Sequence, residues 1–112
     1  MIYVVDREVL YEDKFVAVGG SVTIPCHGST STSVMWQYLS PAKLNAADVY
    51  DGHRLIGDYV NKCTINSLTH DLTIHNVEVD DAGQYWCFEG EGFGVRHITK
   101  LFVAGKIATV VV

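Results

Sequence analysis

The sequence predicts an all-β domain in which two sheets pack face to face. Short segments rich in Val, Ile, Thr, Tyr and Phe are separated by turn-forming clusters about every 8 to 12 residues. No segment has the apolar period of an amphipathic helix, except for a single turn near 79–82. About seven short strands spaced in this way are typical of a two-sheet sandwich, and on this pattern alone a closed barrel is the alternative.

Three strands are predicted in the first part of the chain. The first, at 14–18, ends in a Gly-Gly turn, and the second, at 21–26, alternates so that its Val, Ile and Cys side chains share one face. The third, at 34–39, follows a polar loop and ends at a Ser-Pro turn. The alternation indicates that each of these strands has one face toward a core.

The second part of the chain begins with the irregular segment 45–58, in which an Asp-Gly pair predicts the tip of a hairpin. Alternating strands follow at 61–66 and 71–77 and are joined by a short turn. The segments 84–89 and 95–103 are predicted to form a final hairpin across a glycine-rich loop. Together with the earlier strands, these segments are sufficient for one sandwich.

Size and charge limit the organisation and the partners of the chain. Its 112 residues suit one domain that spans 1–112, with a core at about 14–103 and with 104–112 as a strand extension or a stalk. The formal net charge of -5 and the lack of clustered Lys and Arg predict that nucleic acid is not a partner. No apolar run approaches the about 20 residues of a membrane-spanning helix, so we expect no membrane insertion by this chain.

The sequence lacks the residue patterns of enzymes and metal sites. Its histidines are scattered without the short spacing that would gather metal ligands. No serine lies in a Gly-x-Ser-x-Gly elbow, and no phosphate-binding glycine loop precedes a helix. We therefore expect no enzymatic activity, no bound metal and no cofactor.

Three cysteines lie at positions 26, 63 and 87, and their odd number allows at most one intramolecular disulfide. Trp36 follows the first of them on the next predicted strand, and the last ends the segment Asp81-Ala82-Gly83-Gln84-Tyr85-Trp86-Cys87. This constellation resembles the immunoglobulin superfamily, whose domains contain a disulfide between the sheets, a tryptophan packed on it and a tyrosine corner. The resemblance implies a disulfide between Cys26 and Cys87, with Trp36 packed on it and Tyr85 as the corner tyrosine.

The resemblance extends to the variable type, or V-set, of these domains. The long separation between the first and last cysteines and the irregular segment before Asn61 leave room for the additional edge strands of that type. Lys62 matches the basic residue that pairs with the aspartate of the corner motif, here Asp81. The runs Gly19-Gly20-Ser21-Val22-Thr23-Ile24-Pro25-Cys26 and Thr99-Lys100-Leu101-Phe102-Val103 are similar to those of non-rearranging immune-type or germline VJ-type antigen receptors.

A structural disulfide requires an oxidising compartment. We therefore expect an extracellular domain, which is either at the cell surface as the ectodomain of a membrane protein or secreted. Cys63 occupies a position that is usually apolar and buried in the resembling domains. A small, buried and reduced thiol is favoured there, and an intermolecular disulfide is the alternative.

One face of a predicted sheet is rich in apolar side chains. If Trp36 and Cys87 point inward, the two-residue period of strands places their neighbours outward. We call these outward positions the pairing face: Met35, Gln37, Leu39, Trp86, Phe88, Ile98, Lys100 and Phe102. An exposed patch of this kind usually marks an association site, and a cover of loop residues is the alternative. In the resembling receptors this face pairs two domains about a central glutamine, here Gln37, which implies a two-fold homodimer or a paired immunoglobulin domain.

Three loops, at 27–33, 50–54 and 89–96, are expected to cluster at one end of the sandwich. They resemble the hypervariable loops of antigen receptors, and their Ser, Thr, Gly, Tyr and acidic residues suit polar recognition of a protein or glycan ligand. Solvated turns without a ligand are the alternative. The candidate ligand residues are Ser29, Thr30, Ser31, Tyr50, Asp51, His53, Arg54, Glu91, Phe93 and Arg96.

The sequence thus predicts the recognition domain of an immune-type cell-surface receptor that pairs through one sheet face and presents its end loops to a ligand. A homophilic cell-adhesion domain, which would use the same face between cells, is the first alternative. A secreted glycan-binding module is the second, and it would need exposed aromatic side chains in the loops, where only Tyr50 and Phe93 are available.

Overall fold

A computed structural model describes residues 9–26, 33–42, 46–89 and 94–105, with 94–96 described by their backbone alone. The strands in these residues are β1 (Leu10–Ala17), β2 (Val22–Ile24), β3 (Val34–Leu39), β4 (Ala47–Tyr50), β5 (Cys63–Ile65), β6 (Leu72–Ile74), β7 (Gly83–Glu89) and β8 (Gly94–Ala104). Two short 3-10 helices span Gly57–Asn61 and Val79–Asp81.

The strands form two sheets. The larger sheet has the order β1-β8-β7-β3-β4, and the smaller sheet has the order β2-β6-β5. β1 runs parallel to β8, whereas the other strand pairs of the described residues are antiparallel. Along β7 every second side chain is buried and the others are half-buried, as expected for a strand with one face on a core. The predicted all-β, two-sheet fold is confirmed.

The core lies between the two sheets. Its largest fully buried side chains are Trp36 and Tyr85 from the larger sheet, and they pack against aliphatic side chains of β2 and β6. A disulfide between Cys26 and Cys87 joins the sheets, with 5.8 Å between the two Cα atoms. Trp36 Nε1 donates a hydrogen bond of 2.9 Å to the carbonyl oxygen of His70, so the buried indole N–H is satisfied across the core. The disulfide that the resemblance implied is confirmed.

A polar cluster around Asp81 ties the start of β7 to the smaller sheet. Lys62 Nζ lies 2.9 Å from Asp81 Oδ2 and also donates to the carbonyl oxygen of Asn76. Tyr85 Oη donates a hydrogen bond of 2.6 Å to the carbonyl oxygen of Asp81, which is the geometry of a tyrosine corner. A capping box between Glu78 and Asp81 caps the N-terminus of the 3-10 helix Val79–Asp81, which precedes β7. These contacts fix which residues of β7 point away from the core.

β7 approaches β3 very closely at Gly83. The φ of Gly83 is 144°, and a Cβ atom there would lie 2.6 Å from the carbonyl oxygen of Leu39 and 2.8 Å from the ring of Tyr38. Only glycine fits both the space and this backbone conformation. The Tyr38 hydroxyl donates to the carbonyl oxygen of Ala82, and burial, reinforced by nearby acidic groups, raises the pKa of Tyr38 to about 12.

Most strand boundaries differ from those predicted, and three of the differences have a clear physical reason. β1 begins at Leu10, before the predicted start at 14, because its charged residues lie on an edge strand where alternate side chains stay in water. The strand predicted at 61–66 is confined to β5, since a 3-10 helix occupies the chain up to Asn61. The strand predicted at 71–77 ends early, because Asn76 has a positive φ of 48°. Of the added edge strands expected for the variable type, the described residues contain β4.

Candidate protein-binding face

The pairing face lies on the outer side of the larger sheet, away from the smaller one. Its residues come from β3, β7 and β8, and the ladder places Gln37 opposite Trp86 and Trp86 opposite Ile98. Lys100 is exposed, and the other side chains of the pairing face are half-buried. The structure therefore brings the predicted residues together on one continuous surface.

Residues that the sequence analysis missed extend this surface at both edges. The outward residues of β1 are Tyr11, Asp13 and Phe15, which lie beside β8 in a parallel register, and Tyr11 and Phe15 are 76% and 75% exposed. At the opposite edge β4 adds Asp48, which is exposed and pairs with β3. We call the pairing face together with these four residues the outer face. The alternation of aromatic and charged residues in β1 was visible in the sequence, but its neighbour β8 is distant along the chain.

Aromatic stacking joins β1 to β8 on the outer face. The rings of Phe15 and Phe102 stack with centroids 4.9 Å apart and planes 12° from parallel. Lys100 Nζ lies 5.1 Å from the centroid of the Phe102 ring, which is within the range of a cation–π contact. These contacts order the side chains. Most of the Phe15 surface is nevertheless exposed to water, and a binding partner on this face would bury it.

Two hydrogen bonds hold the polar groups at the centre of the outer face. Trp86 Nε1 donates to Gln84 Oε1 at 2.8 Å, and Gln37 Nε2 donates to Asp48 Oδ1 at 2.9 Å. The Trp86 ring also packs on Phe88, with centroids 6.1 Å apart. Because these polar donors are already satisfied within the chain, the centre of the face presents mainly apolar surface, as the centres of protein interfaces do.

Behind the outer face, the inner side of β8 buries two polar side chains. His97 is 1% exposed, and its Nε2 atom lies 4.0 Å from Glu12 Oε2 on β1. Thr99 is fully buried, and its hydroxyl has no hydrogen-bond partner among the described residues. Buried hydroxyls usually have such partners. The buried polar groups on this flank of the core are therefore less completely hydrogen-bonded than those around the disulfide.

Of the candidate ligand loops, the structure describes the turn at 50–54. Asp51 Oδ1 accepts hydrogen bonds of 2.8 and 2.9 Å from the backbone N–H groups of His53 and Arg54. These bonds, that from Arg54 first, lower the pKa of Asp51. His53 and Arg54 are exposed, whereas Tyr50 packs partly on the core. The turn thus presents one imidazole and one guanidinium to solvent on a fixed backbone.

The other ligand candidates are Ser29, Thr30, Ser31, Glu91 and Phe93, which lie outside the described residues, and Arg96. The loop predicted at 89–96 is shorter at both ends. Glu89 still belongs to β7 and pairs with Gly94, the first residue of β8. The backbone of Arg96 lies within β8 for the same reason. The clustering of three ligand loops at one end stays a prediction.

Cys63 is buried in the core, with 3% of its surface exposed, and is not part of a disulfide. Burial, followed by the nearby Asp81 carboxylate, raises the pKa of its thiol to about 12. The reactive form of cysteine is the thiolate, so this thiol is chemically inert at neutral pH. These properties fit the small, buried and reduced cysteine favoured above.

The described residues do not gather three or more His, Cys, Asp or Glu side chains in an arrangement that could hold a metal ion. His27 lies outside these residues, and His75 makes a hydrogen bond to Thr64 on the neighbouring strand.

In the part of the chain that the structure describes, we find no helix that is both long and apolar enough to cross a membrane.

A two-sheet β-sandwich with a disulfide between the sheets, a buried tryptophan and a tyrosine corner is the architecture of an immunoglobulin-type domain. The sequence profile of the immunoglobulin domain family matches residues 14–89. The chain belongs to this family. Domains of this fold typically serve in recognition rather than in catalysis.

Among solved structures, the chain is similar to the crystal structure of the CD2-binding domain of CD58, lymphocyte function-associated antigen 3. The TM-score is 0.64 at 18% sequence identity, so the similarity concerns the fold. It covers 84% of this chain and 54% of the other, and the chain thus corresponds to about half of that structure. No curated protein sequence matches the chain.

Proposed function

We propose that the chain is the extracellular recognition domain of an immune-type cell-surface receptor of the V-set, which pairs with a second copy through the outer face and presents its end loops to a ligand. The observation that carries the proposal is the exposure of apolar side chains on that face. Soluble monomers seldom expose aromatic side chains to the extent of Tyr11 and Phe15 beside a larger apolar patch. A protein partner would remove this surface from water.

Other features support the class of protein. β4 lies beside β3 at the edge of the larger sheet, where V-set domains have additional strands. The disulfide favours an extracellular location, either at the cell surface or secreted. The CD58 domain is described as CD2-binding, which supports a protein partner for this chain. We propose one domain over 1–112, with its core at about 14–103 and an extension or stalk at 104–112.

The size of the outer face favours a weak complex. Five strands about 4.8 Å apart and about six residues long give a projected area of roughly 500 Å². The accessible surface of the face is larger than its projection, because side chains stand out from the sheet, but it does not exceed by much the about 800 Å² that a standard interface buries on each partner. Weak contacts of this size suit transient encounters, so a homophilic adhesion domain that pairs between cells is the second candidate. The glycan-binding alternative has less support, because Tyr50 packs partly on the core.

The test is the mass in solution over a range of concentrations, measured by light scattering in non-reducing buffer. We expect a concentration-dependent dimer for the wild type and a folded monomer for Trp86→Lys, because the new ammonium would be buried at the centre of the face. Leu68→Lys is the matched control. Leu68 is 88% exposed in the turn between β5 and β6, and its replacement should leave the dimer unchanged.

A wild type that stays monomeric at all accessible concentrations would remove the homodimer and would point to a different partner. Equal loss of dimer in both variants would mean that the added charge, rather than its place on the outer face, is responsible. Thermal unfolding of each variant establishes that the monomers are folded.

A further inference from the structure

One row of side chains crosses the whole outer face. It has one residue from each strand of the larger sheet, and each lies opposite the next in the ladder: Tyr11, Ile98, Trp86, Gln37 and Asp48. Trp86 is at the middle of the row, on the central strand β7. The two ends of the row differ in chemistry, since one is a phenol that can donate a hydrogen bond and the other is a carboxylate that can accept one.

Both end groups have hydrogen-bonding capacity to spare. Asp48 is exposed. Gln37 donates to Asp48 Oδ1 only, which leaves Asp48 Oδ2 available. Tyr11 is 76% exposed, and its hydroxyl makes no hydrogen bond within the described residues. The bond from Gln37 also holds the Asp48 carboxylate in one orientation, so little freedom would be lost on binding.

Two copies related by a two-fold axis can meet face to face in two simple ways. If the axis lies along the row, each residue of the row faces itself, and the Asp48 carboxylates of the two copies repel each other. If the axis runs along β7, the row is reversed in the second copy, and Asp48 of one copy faces Tyr11 of the other. The pattern of charge and hydrogen-bonding groups therefore favours the axis along β7.

We propose that the outer face binds a second copy of the chain about a two-fold axis along β7, with the Tyr11 hydroxyl of each copy donating a hydrogen bond to the Asp48 carboxylate of the other. This inference rests on the proposed function, because it assumes the pairing. Facing sheets lie about 10 Å apart, a gap that a tyrosine and an aspartate side chain span together. The dimer has one such bond at each edge, so the bonds fix its orientation while the apolar centre supplies contact area.

Cross-linking tests the orientation directly. Tyr11→Cys and Asp48→Cys are prepared separately, and a short bis-maleimide is added to each variant and to their mixture. We expect cross-linked dimers in the mixture only, because positions 11 and 48 of different copies face each other, whereas like positions lie at opposite edges of the dimer. The wild type, whose Cys63 is buried, is the control for background reaction.

The hydrogen bond itself is tested by Tyr11→Phe and Asp48→Asn, with dimer dissociation measured by sedimentation. Each variant should raise Kd about tenfold or more, because Tyr11→Phe removes the hydrogen bond at both edges and Asp48→Asn replaces its charged acceptor by a neutral amide. The dimer of the double variant should be little weaker than that of Tyr11→Phe alone, since both substitutions act on the same bond. Asp80→Asn removes an exposed carboxylate of the 3-10 helix Val79–Asp81, outside the outer face, and should leave Kd unchanged.

The outcomes separate this inference from the proposed function. Cross-linking of Asp48→Cys with itself, or a tighter dimer in Asp48→Asn, would overturn the axis along β7 and leave pairing through the outer face intact. A wild-type dimer that gives no cross-link in the mixture and no change of Kd in either hydrogen-bond variant would also overturn it. A monomeric wild type would instead remove the homodimer, and this inference with it.

Discussion

The two tryptophans of the chain lie on opposite sides of the larger sheet. Trp36 is fully buried on the inner side, and its N–H reaches across the core to the carbonyl oxygen of His70. Trp86 is half-buried on the outer side, and its N–H bonds to Gln84, two residues away on the same strand. One indole links two sheets, whereas the other is satisfied locally and leaves its ring at the surface.

This difference separates the roles of the two sides. Both carry apolar side chains at every second position, so the alternation alone does not distinguish a core from a binding surface. The inner side is completed by the smaller sheet, by the disulfide and by the ion pair of Lys62 with Asp81. The outer side has no such cover among the described residues, and its apolar surface is available for a partner.

Loss of the disulfide should have the largest effect on the inner side. The variant Cys26→Ala/Cys87→Ala should lose about 4 kcal/mol of unfolding free energy, because the bridge closes a long loop. Domains of this size have a total of about 5 to 15 kcal/mol, so the variant will be close to unfolding. Denaturant titration measures the loss. A change of similar size in monomeric Trp86→Lys would contradict the proposed difference between the two sides.

Gly83→Ala should have the next largest effect. The added methyl group would meet the carbonyl oxygen of Leu39 in a backbone conformation that alanine rarely adopts, at a cost of about 1 to 3 kcal/mol. Gly105→Ala is the control, because a Cβ atom there has no neighbour within 4 Å. Denaturant titration of both variants checks the expectation, and equal stability would show that β7 can move away from β3.

The sequence was sufficient to predict the inner side of the larger sheet. Cys26, Trp36 and the segment ending at Cys87 resemble the immunoglobulin pattern, and this resemblance implied the sandwich and its disulfide. Alternation around Trp36 and Cys87 then assigned the outward residues of the central strands. Local pattern sufficed here because these strands are buried on one side, where a shift of one residue would move apolar side chains into water.

The edges of the outer face could not be predicted in the same way. β1 pairs in parallel with β8, a strand that lies far along the chain. The charged residues of β1 interrupt the apolar alternation by which strands are predicted. Asp48 joins the face because β4 pairs with β3 beyond an irregularity in the ladder next to Gln37. Both contributions depend on long-range pairing, which no local signal specifies.

Thr99→Val should have the smallest effect, and in the opposite direction. The hydroxyl of Thr99 is buried without a hydrogen-bond partner among the described residues, so a methyl group of similar shape should raise the unfolding free energy by about 1 kcal/mol. Thr73→Val is the control, because the Thr73 hydroxyl bonds to that of Thr23 at 2.9 Å, and its loss should bring no gain. Denaturant titration compares the two. A destabilised Thr99→Val would mean that the polar groups on this flank of the inner side have hydrogen-bond partners, as those around Trp36 do. The Kd of the dimer should be unchanged in either case, because Thr99 faces inward.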